Sequence, residues 1–182
     1  VIENDLTMWS THQQRHAKRY FCSVVDNGDG TYQVQGQLSN QGKYQIKMYH
    51  AFPGGLLGTY YRDAFHESVA LQRIDRYVNF TWGKGRLIPR GSDYISIRWT
   101  GVIRSDTTET YLFYLDADDH ARLWIDGILL IDHWHEQRVD LEPFRAINFN
   151  AHSFYEVILE YREVRLDAHA RLMWTNQQSY VD

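Results

Sequence analysis

The chain has 182 residues, of which 43% are hydrophobic and 15% aromatic, with a formal net charge of −4 and one cysteine. This length is enough to bury a hydrophobic core, and the single cysteine excludes an internal disulfide. The small charge and the scattered basic residues exclude the basic patch of nucleic-acid-binding proteins, and no apolar run approaches the roughly 20 residues of a membrane-spanning helix.

The first 51 residues predict three short strands separated by glycine-containing turns. The segments Tyr20–Val25, Thr31–Gln35 and Gly42–Met48 are rich in residues that favour strands. Three strands with one apolar face cannot bury that face alone. We therefore expect the chain to begin inside a domain of a larger polypeptide. Cys22 lies within the first apolar run, and we expect it to be a small buried residue.

The run Val25–Tyr32, followed by Gly42–Ile46, resembles the later strands of a filamin-type immunoglobulin-like repeat. Such a repeat is a sandwich of about seven strands in ~100 residues, so only its second half would fit into residues 1–51. Phe52–Gly55 is the predicted linker, because proline and paired glycines separate elements. Residues 56–182 would then form a second domain.

Residues 65–77 are the least strand-like part of this second domain. Ser68 is a favourable N-cap residue, and Val69, Leu71 and Ile74 approach one face of a helix. This spacing predicts a short helical turn.

Three consecutive strands are marked in the middle of the second domain. Tyr111–Leu115 and Ala121–Ile125 alternate apolar residues with period two, as half-buried strands do. Asp126–Gly127 predicts a tight hairpin turn after the second strand, since such turns need positive φ. The adjacent acids Asp118–Asp119 therefore lie in the connection between two strands.

At these residues the sequence resembles the central block of the protective-antigen-fourteen (PA14) domain family, a β-barrel module of bacterial toxins, glycosidases and yeast flocculins and adhesins. The resemblance extends over about residues 55–175, and further similar blocks follow in order: Gly55–Tyr61, Val78–Gly83, Ile97–Gly101, Phe154–Tyr161 and Ala170–Trp174. The composition, rich in aromatic and β-branched residues, also favours strands. We expect an all-β fold: an antiparallel β-barrel or sandwich of the PA14 type, preceded by the partial immunoglobulin-like β-sandwich segment.

Adjacent carboxylates in a loop can present oxygens to a hard cation such as Ca²⁺. In the sugar-binding branch of the family, this Asp-Asp pair, joined by a cis peptide bond, holds a calcium ion that binds vicinal sugar hydroxyls. The resemblance carries both positions over to Asp118 and Asp119. A later loop completes the shell in the family; its best match here is Asp167, in a loop that is short and lacks an obvious Asn. The alternative is structural, because such acids also accept backbone N–H bonds and shape turns.

Aromatic residues predict the sugar contacts, because an apolar sugar face can lie against an aromatic ring while hydroxyls meet polar groups. Trp134 has a loop-like setting, and we expect it, with His120 and His133, to line the mouth of the site. His133 and His135 make a poor zinc site without further ligands, so this segment predicts a surface loop. Asn79 begins a formal N-glycosylation sequon, which matters only if the chain is secreted.

The sequence predicts a non-catalytic module. Adjacent acids in one loop do not supply the opposed carboxyl pair, ~5 to 9 Å apart, of a glycosidase, and signatures of phosphate loops or activated nucleophiles are missing. We expect a carbohydrate-binding module of a larger surface or extracellular protein, with a glycan or glycoprotein and neighbouring domains of the same polypeptide as partners. Two alternatives are a structural or protein-interaction module in an extended assembly, and an accessory domain of a glycosidase or toxin.

Overall fold

A computed structural model of the chain describes residues 6–10, 19–48, 52–135 and 144–176. The packing of the backbone divides the chain into two units, Val1–Pro53 and Gly54–Asp182, and the division falls inside the predicted linker. The regular elements in the described ranges are fourteen β-strands with antiparallel pairing, which confirms the all-β prediction. Across these same ranges, nothing with the length and apolar character of a membrane-crossing helix occurs.

In the first unit, the described residues form one four-stranded sheet. Its strands are β1 (Leu6–Ser10), β2 (Arg19–Asp26), β3 (Tyr32–Gln35) and β4 (Tyr44–Met48), in the spatial order β3-β2-β1-β4. The three predicted strands correspond to β2, β3 and β4, and the sequence pattern missed β1. Cys22 is buried, as expected. Val25, Tyr32 and Val34 are 40–54% exposed, so these three residues of the sheet leave apolar surface open.

The described residues of the second unit form ten strands in two sheets. In chain order they are β5 (Leu56–Tyr61), β6 (Val69–Asp75), β7 (Asn79–Gly83), β8 (Ile95–Arg104), β9 (Glu109–Asp118), β10 (His120–Ile125), β11 (Ile128–His133), β12 (Arg145–Phe149), β13 (Phe154–Glu163) and β14 (Ala168–Asn176). The six-stranded sheet has the order β11-β10-β13-β8-β5-β6, and the four-stranded sheet has the order β12-β9-β14-β7.

Alternating apolar residues from both sheets form one core in the second unit. Phe113 and Leu115 enter it from the four-stranded sheet, and Leu123, Trp99 and Tyr161 enter it from the six-stranded sheet, each at most 1% exposed. The predicted alternation of β9 and β10 is therefore confirmed. The hairpin turn is confirmed as well, since Asp126 and Gly127 have φ values of +57° and +78°.

The predicted helical turn after Ser68 is wrong, because Val69–Asp75 is strand β6. This strand pairs with β5, and the Ser68 N–H donates to the Asp63 carboxylate at 2.6 Å. Val69 and Leu71 are also two residues apart, as in a strand. The sheet pairing decides between two periods that a short segment cannot distinguish.

Candidate functional site

Three connections between the two sheets meet at one end of the second unit. β9 ends at Asp118 and β10 begins at His120, so Asp119 alone joins them. The link 84–94 leads from β7 to β8, and the link 164–167 leads from β13 to β14. The strand register brings these links together through the opposed pairs Glu163 and Ile95, Arg162 and His120, and His169 and Asp118.

Asp119 fastens the link 164–167 to the connection between β9 and β10. Its Oδ2 accepts hydrogen bonds from the backbone N–H groups of Val164 at 2.6 Å and Arg165 at 3.3 Å. The peptide bond between Asp118 and Asp119 is cis, as the resemblance implied. The Oδ2 atom of Asp119 therefore shapes the loop, as acidic side chains often do. The Oδ1 atom takes no part in these two hydrogen bonds.

Asp118 lies half-buried beside a second negative charge. Burial raises the pKa of its carboxyl group, and the charge of Asp119 raises it further, while His169 acts in the opposite direction. The Tyr161 hydroxyl donates a hydrogen bond to the backbone carbonyl of Asp118. The position of the Asp118 backbone is therefore fixed from within the core.

Glu163 adds a third acid beneath the pair. It is fully buried, and its Oε1 has no hydrogen-bond partner. Burial raises the pKa of Glu163 to about 7, and the charges of Asp119 and Asp118 act in the same direction. Its Oε2 lies 2.9 Å from the Tyr161 hydroxyl, whose single proton is also directed to a carbonyl. A protonated Glu163 can donate in that contact. The raised pKa of Glu163 also means that a further negative charge is unfavourable at this end of the unit.

The negative charge of these acids suits a hard cation, although the acids do not supply a complete coordination shell. Asp167 is exposed, and its charge also raises the pKa of Asp118. Within the described ranges, no three His, Cys, Asp or Glu side chains are placed to hold a metal ion together. A cation at Asp118 and Asp119 would need backbone carbonyls and water for the remaining oxygens, which Ca²⁺ accepts. The unpartnered oxygen of Glu163 and the mutual repulsion of the acids are features that a cation would relieve.

Trp134 is covered by other side chains. It is 9% exposed, and the guanidinium carbons of Arg122 and Arg162 lie 4.2 and 4.7 Å from its ring centroid. The His66 ring stacks on it with centroids 5.9 Å apart. The indole ring is therefore largely closed to solvent.

His120 follows Asp119 directly and lies opposite Arg162 in the sheet. Burial lowers its pKa, and the charge of Arg162 lowers it further. Its Nδ1 is buried without a hydrogen-bond partner. His133 is half-buried at the end of β11, and His135 is exposed.

Sequence reasoning missed Glu163 and Tyr161. A signal for both was present, because Val157, Leu159 and Tyr161 alternate along β13 and position 163 continues this inward series. An acid at a core position of a strand indicates a special environment. The Asp116 side chain is one-third exposed and contacts His169 and Arg171 at 3.1 Å each.

Comparisons with known proteins agree with this architecture. A family model described as PA14 domain matches residues 53–179. The anti-sigma-I factor RsgI3 of Acetivibrio thermocellus is 39% identical over 124 residues, which cover 68% of this chain and 19% of that protein. The chain therefore spans about a fifth of this curated relative.

Solved structures of similar fold include the following two. An anti-sigma factor domain-containing protein is 37% identical, with a TM-score of 0.62 over 68% of this chain and 43% of that chain. A PA14 sugar-binding domain from an RTX adhesin is 17% identical, with a TM-score of 0.59 over 69% of this chain and 91% of that chain; this likeness shows the fold alone. Because the family model covers most of the sequence and the two-sheet fold agrees, the chain belongs to the PA14 domain family.

Proposed function

We propose that the chain is a non-catalytic carbohydrate-binding module of a larger surface or extracellular protein. The observation that carries the proposal is the group of acids at one end of the second unit, where the Asp118–Asp119 pair lies beside the buried, unpartnered Oε1 of Glu163. Ca²⁺ would be held by Asp118 and Asp119. Asp167 is the proposed third side-chain ligand, and its exposed side chain would have to move, because no three acids in the described ranges are placed to hold an ion together. When bound, the ion would supply a positive charge that coordinates vicinal hydroxyls of a terminal sugar.

The surrounding residues orient this pair. Asp119 is held through Oδ2 by two backbone N–H groups, so the direction of its carboxylate is set before any ligand arrives. Tyr161 holds the Asp118 carbonyl. Such preorganisation lowers the cost of ordering a loop on binding.

His120 and Trp134 remain the proposed sugar contacts from the sequence. His120 adjoins the acid pair, and its half-buried ring can exchange a hydrogen bond with a hydroxyl. Trp134 would contribute indirectly, because its ring holds the guanidinium groups of Arg122 and Arg162 by cation–π contacts. The adhesin domain of the same fold is described as sugar-binding, and this description is the reason to propose a glycan as the ligand here.

A glycan array probed with the whole chain tests the proposal. With Ca²⁺ in the buffer, we expect retention on a subset of glycans, and a chelator should release the protein. Asp119→Ala should lose both Ca²⁺ and glycan binding. Asp106→Asn changes an acid that is 82% exposed at the β8–β9 connection and should bind as wild type does. Glycan binding that survives the chelator or the Asp119→Ala change would refute the mechanism.

A second candidate is a protein-interaction module of a larger regulatory protein. The curated relative and one similar structure are named as anti-sigma factor proteins, and the chain covers only 19% and 43% of their lengths. The structure of a complex would distinguish the candidates. A protein contact that buries more than about 1,000 Å² over the Asp118–Asp119 connection would mark an interface and leave no room for a sugar.

A further inference from the structure

Exposed apolar side chains flank the acid pair. Tyr94, the last residue before β8, is 46% exposed, and Leu166, in the link before β14, is 71% exposed. Both lie on the links that meet at the Asp119 end of the second unit. This surface is apolar and aromatic next to a site of concentrated negative charge.

Tyr94 is connected directly to the segment that Asp119 holds. Its backbone N–H donates to the Val164 carbonyl at 3.3 Å, while the Val164 N–H donates to the Asp119 carboxylate. The guanidinium carbon of Arg165 lies 5.3 Å from the centroid of the Tyr94 ring. Arg165 therefore steadies the ring on one side, and nearly half of the side chain remains open to solvent.

The fold does not explain why a tyrosine occupies position 94. Tyr94 has a φ of +54° and Leu166 a φ of +82°, in the left-handed region that disfavours bulky side chains and that glycine or asparagine adopts more easily. Neither residue belongs to the core of the second unit. Backbone conformations of this kind cluster at active sites and ligand-binding segments, and this clustering is a reason to consider Tyr94 for a role in binding.

We propose that Tyr94, steadied by Arg165, is the aromatic platform of the sugar site. The apolar face of a sugar ring lies against the open part of the Tyr94 ring while its vicinal hydroxyls turn toward Asp118 and Asp119. Leu166 forms an apolar border of the same platform. The inference rests on the proposed glycan-binding function and assigns the stacking contact to a residue other than the covered Trp134. The ligand class is a terminal sugar with an apolar ring face beside its vicinal hydroxyls.

A matched control exists at the other end of the unit. Tyr77 is 69% exposed, and the guanidinium carbon of its neighbour Arg76 lies 5.5 Å from its ring centroid. It follows β6, whose last residue, Asp75, pairs with Leu56 at the start of β5. Tyr77→Ala therefore removes an equivalent arginine–tyrosine contact away from the acid pair.

The experiment titrates the whole chain, loaded with Ca²⁺, with a panel of methyl glycosides and soluble polysaccharides by calorimetry. We expect Tyr94→Ala to weaken binding about tenfold and to leave the Ca²⁺ affinity unchanged. Tyr94→Phe should stay within about threefold of wild type, because the ring is retained, and Tyr77→Ala should match wild type.

Thermal unfolding separates binding from a structural role. Tyr94→Gly should lose the same affinity as Tyr94→Ala without a lower melting temperature, since glycine suits a positive φ. Equal glycan affinity in wild type and Tyr94→Ala, or a fall in melting temperature for Tyr94→Gly, overturns this inference alone. Wild-type protein that binds no probe overturns the proposed function and this inference together.

Discussion

At the scale of single residues, Glu163 couples the stability of the protein to pH. Burial raises its pKa to about 7 in the folded protein, from an ordinary value of 4.5. Between these pH values, the folded chain keeps a proton that the unfolded chain has released. The contribution of this group to the free energy of unfolding is fully present below about pH 4.5 and is lost as the pH rises to about 7.

Glu163→Gln should therefore be more stable than wild type at pH 8, by roughly 1–3 kcal/mol, because glutamine resembles the protonated acid and cannot ionise. Urea unfolding at pH 5 and pH 8, with a chelator present, measures the effect. Glu67→Gln, at an exposed acid, provides the control. An identical pH dependence in wild type and Glu163→Gln would show that Glu163 does not carry the coupling.

At the scale of elements, Asp75 joins β6 to its neighbours. It is 6% exposed and accepts hydrogen bonds from the Tyr60 hydroxyl at 2.6 Å, the Trp99 indole N–H at 2.7 Å and the Arg73 Nε–H at 2.7 Å. These bonds connect β5, β6 and β8. The carboxylate thus accepts the hydrogen bonds that these two core aromatic residues would otherwise make to water.

Asp75→Ala should lower the free energy of unfolding by about 3–5 kcal/mol, because it leaves buried donors and an arginine without their acceptor. Tyr60→Phe removes one of these bonds and should cost about 1 kcal/mol. Both values come from urea unfolding at constant pH. A loss below about 1 kcal/mol in Asp75→Ala would mean that the network contributes little to stability.

The elements also show which patterns a sequence can reveal. Tyr111–Leu115 and Ala121–Ile125 were predicted correctly because half-buried strands repeat every two residues, and Asp126–Gly127 because few residues accept its φ values. The short segment Val69–Asp75 satisfied two periods at once, and only pairing with β5 resolves them. No sequence pattern points to Tyr94, because its proposed role depends on how the link 84–94 packs beside the segment that Asp119 holds.

At the scale of the whole molecule, the chain consists of two units that divide after Pro53. The core cluster that joins both sheets consists of residues in the second unit, so this unit has what independent folding requires. We expect a fragment of residues 52–182 to unfold in one cooperative transition and to keep the Ca²⁺ affinity of the whole chain. Circular dichroism during thermal unfolding and calorimetry measure these properties. A fragment without a cooperative transition would show that the second unit needs the first.

The measurement that tests the central claim most directly is calorimetric titration of Ca²⁺ into metal-free protein. We predict saturable binding by wild type that disappears when Asp118→Asn and Asp119→Asn are combined, with Asp106→Asn binding as wild type. The wild-type titration should also release protons near pH 7, because a cation beside Glu163 lowers its pKa. An absence of binding in wild type, or equal binding in the double variant, would contradict the Ca²⁺ site and favour the protein-interaction role.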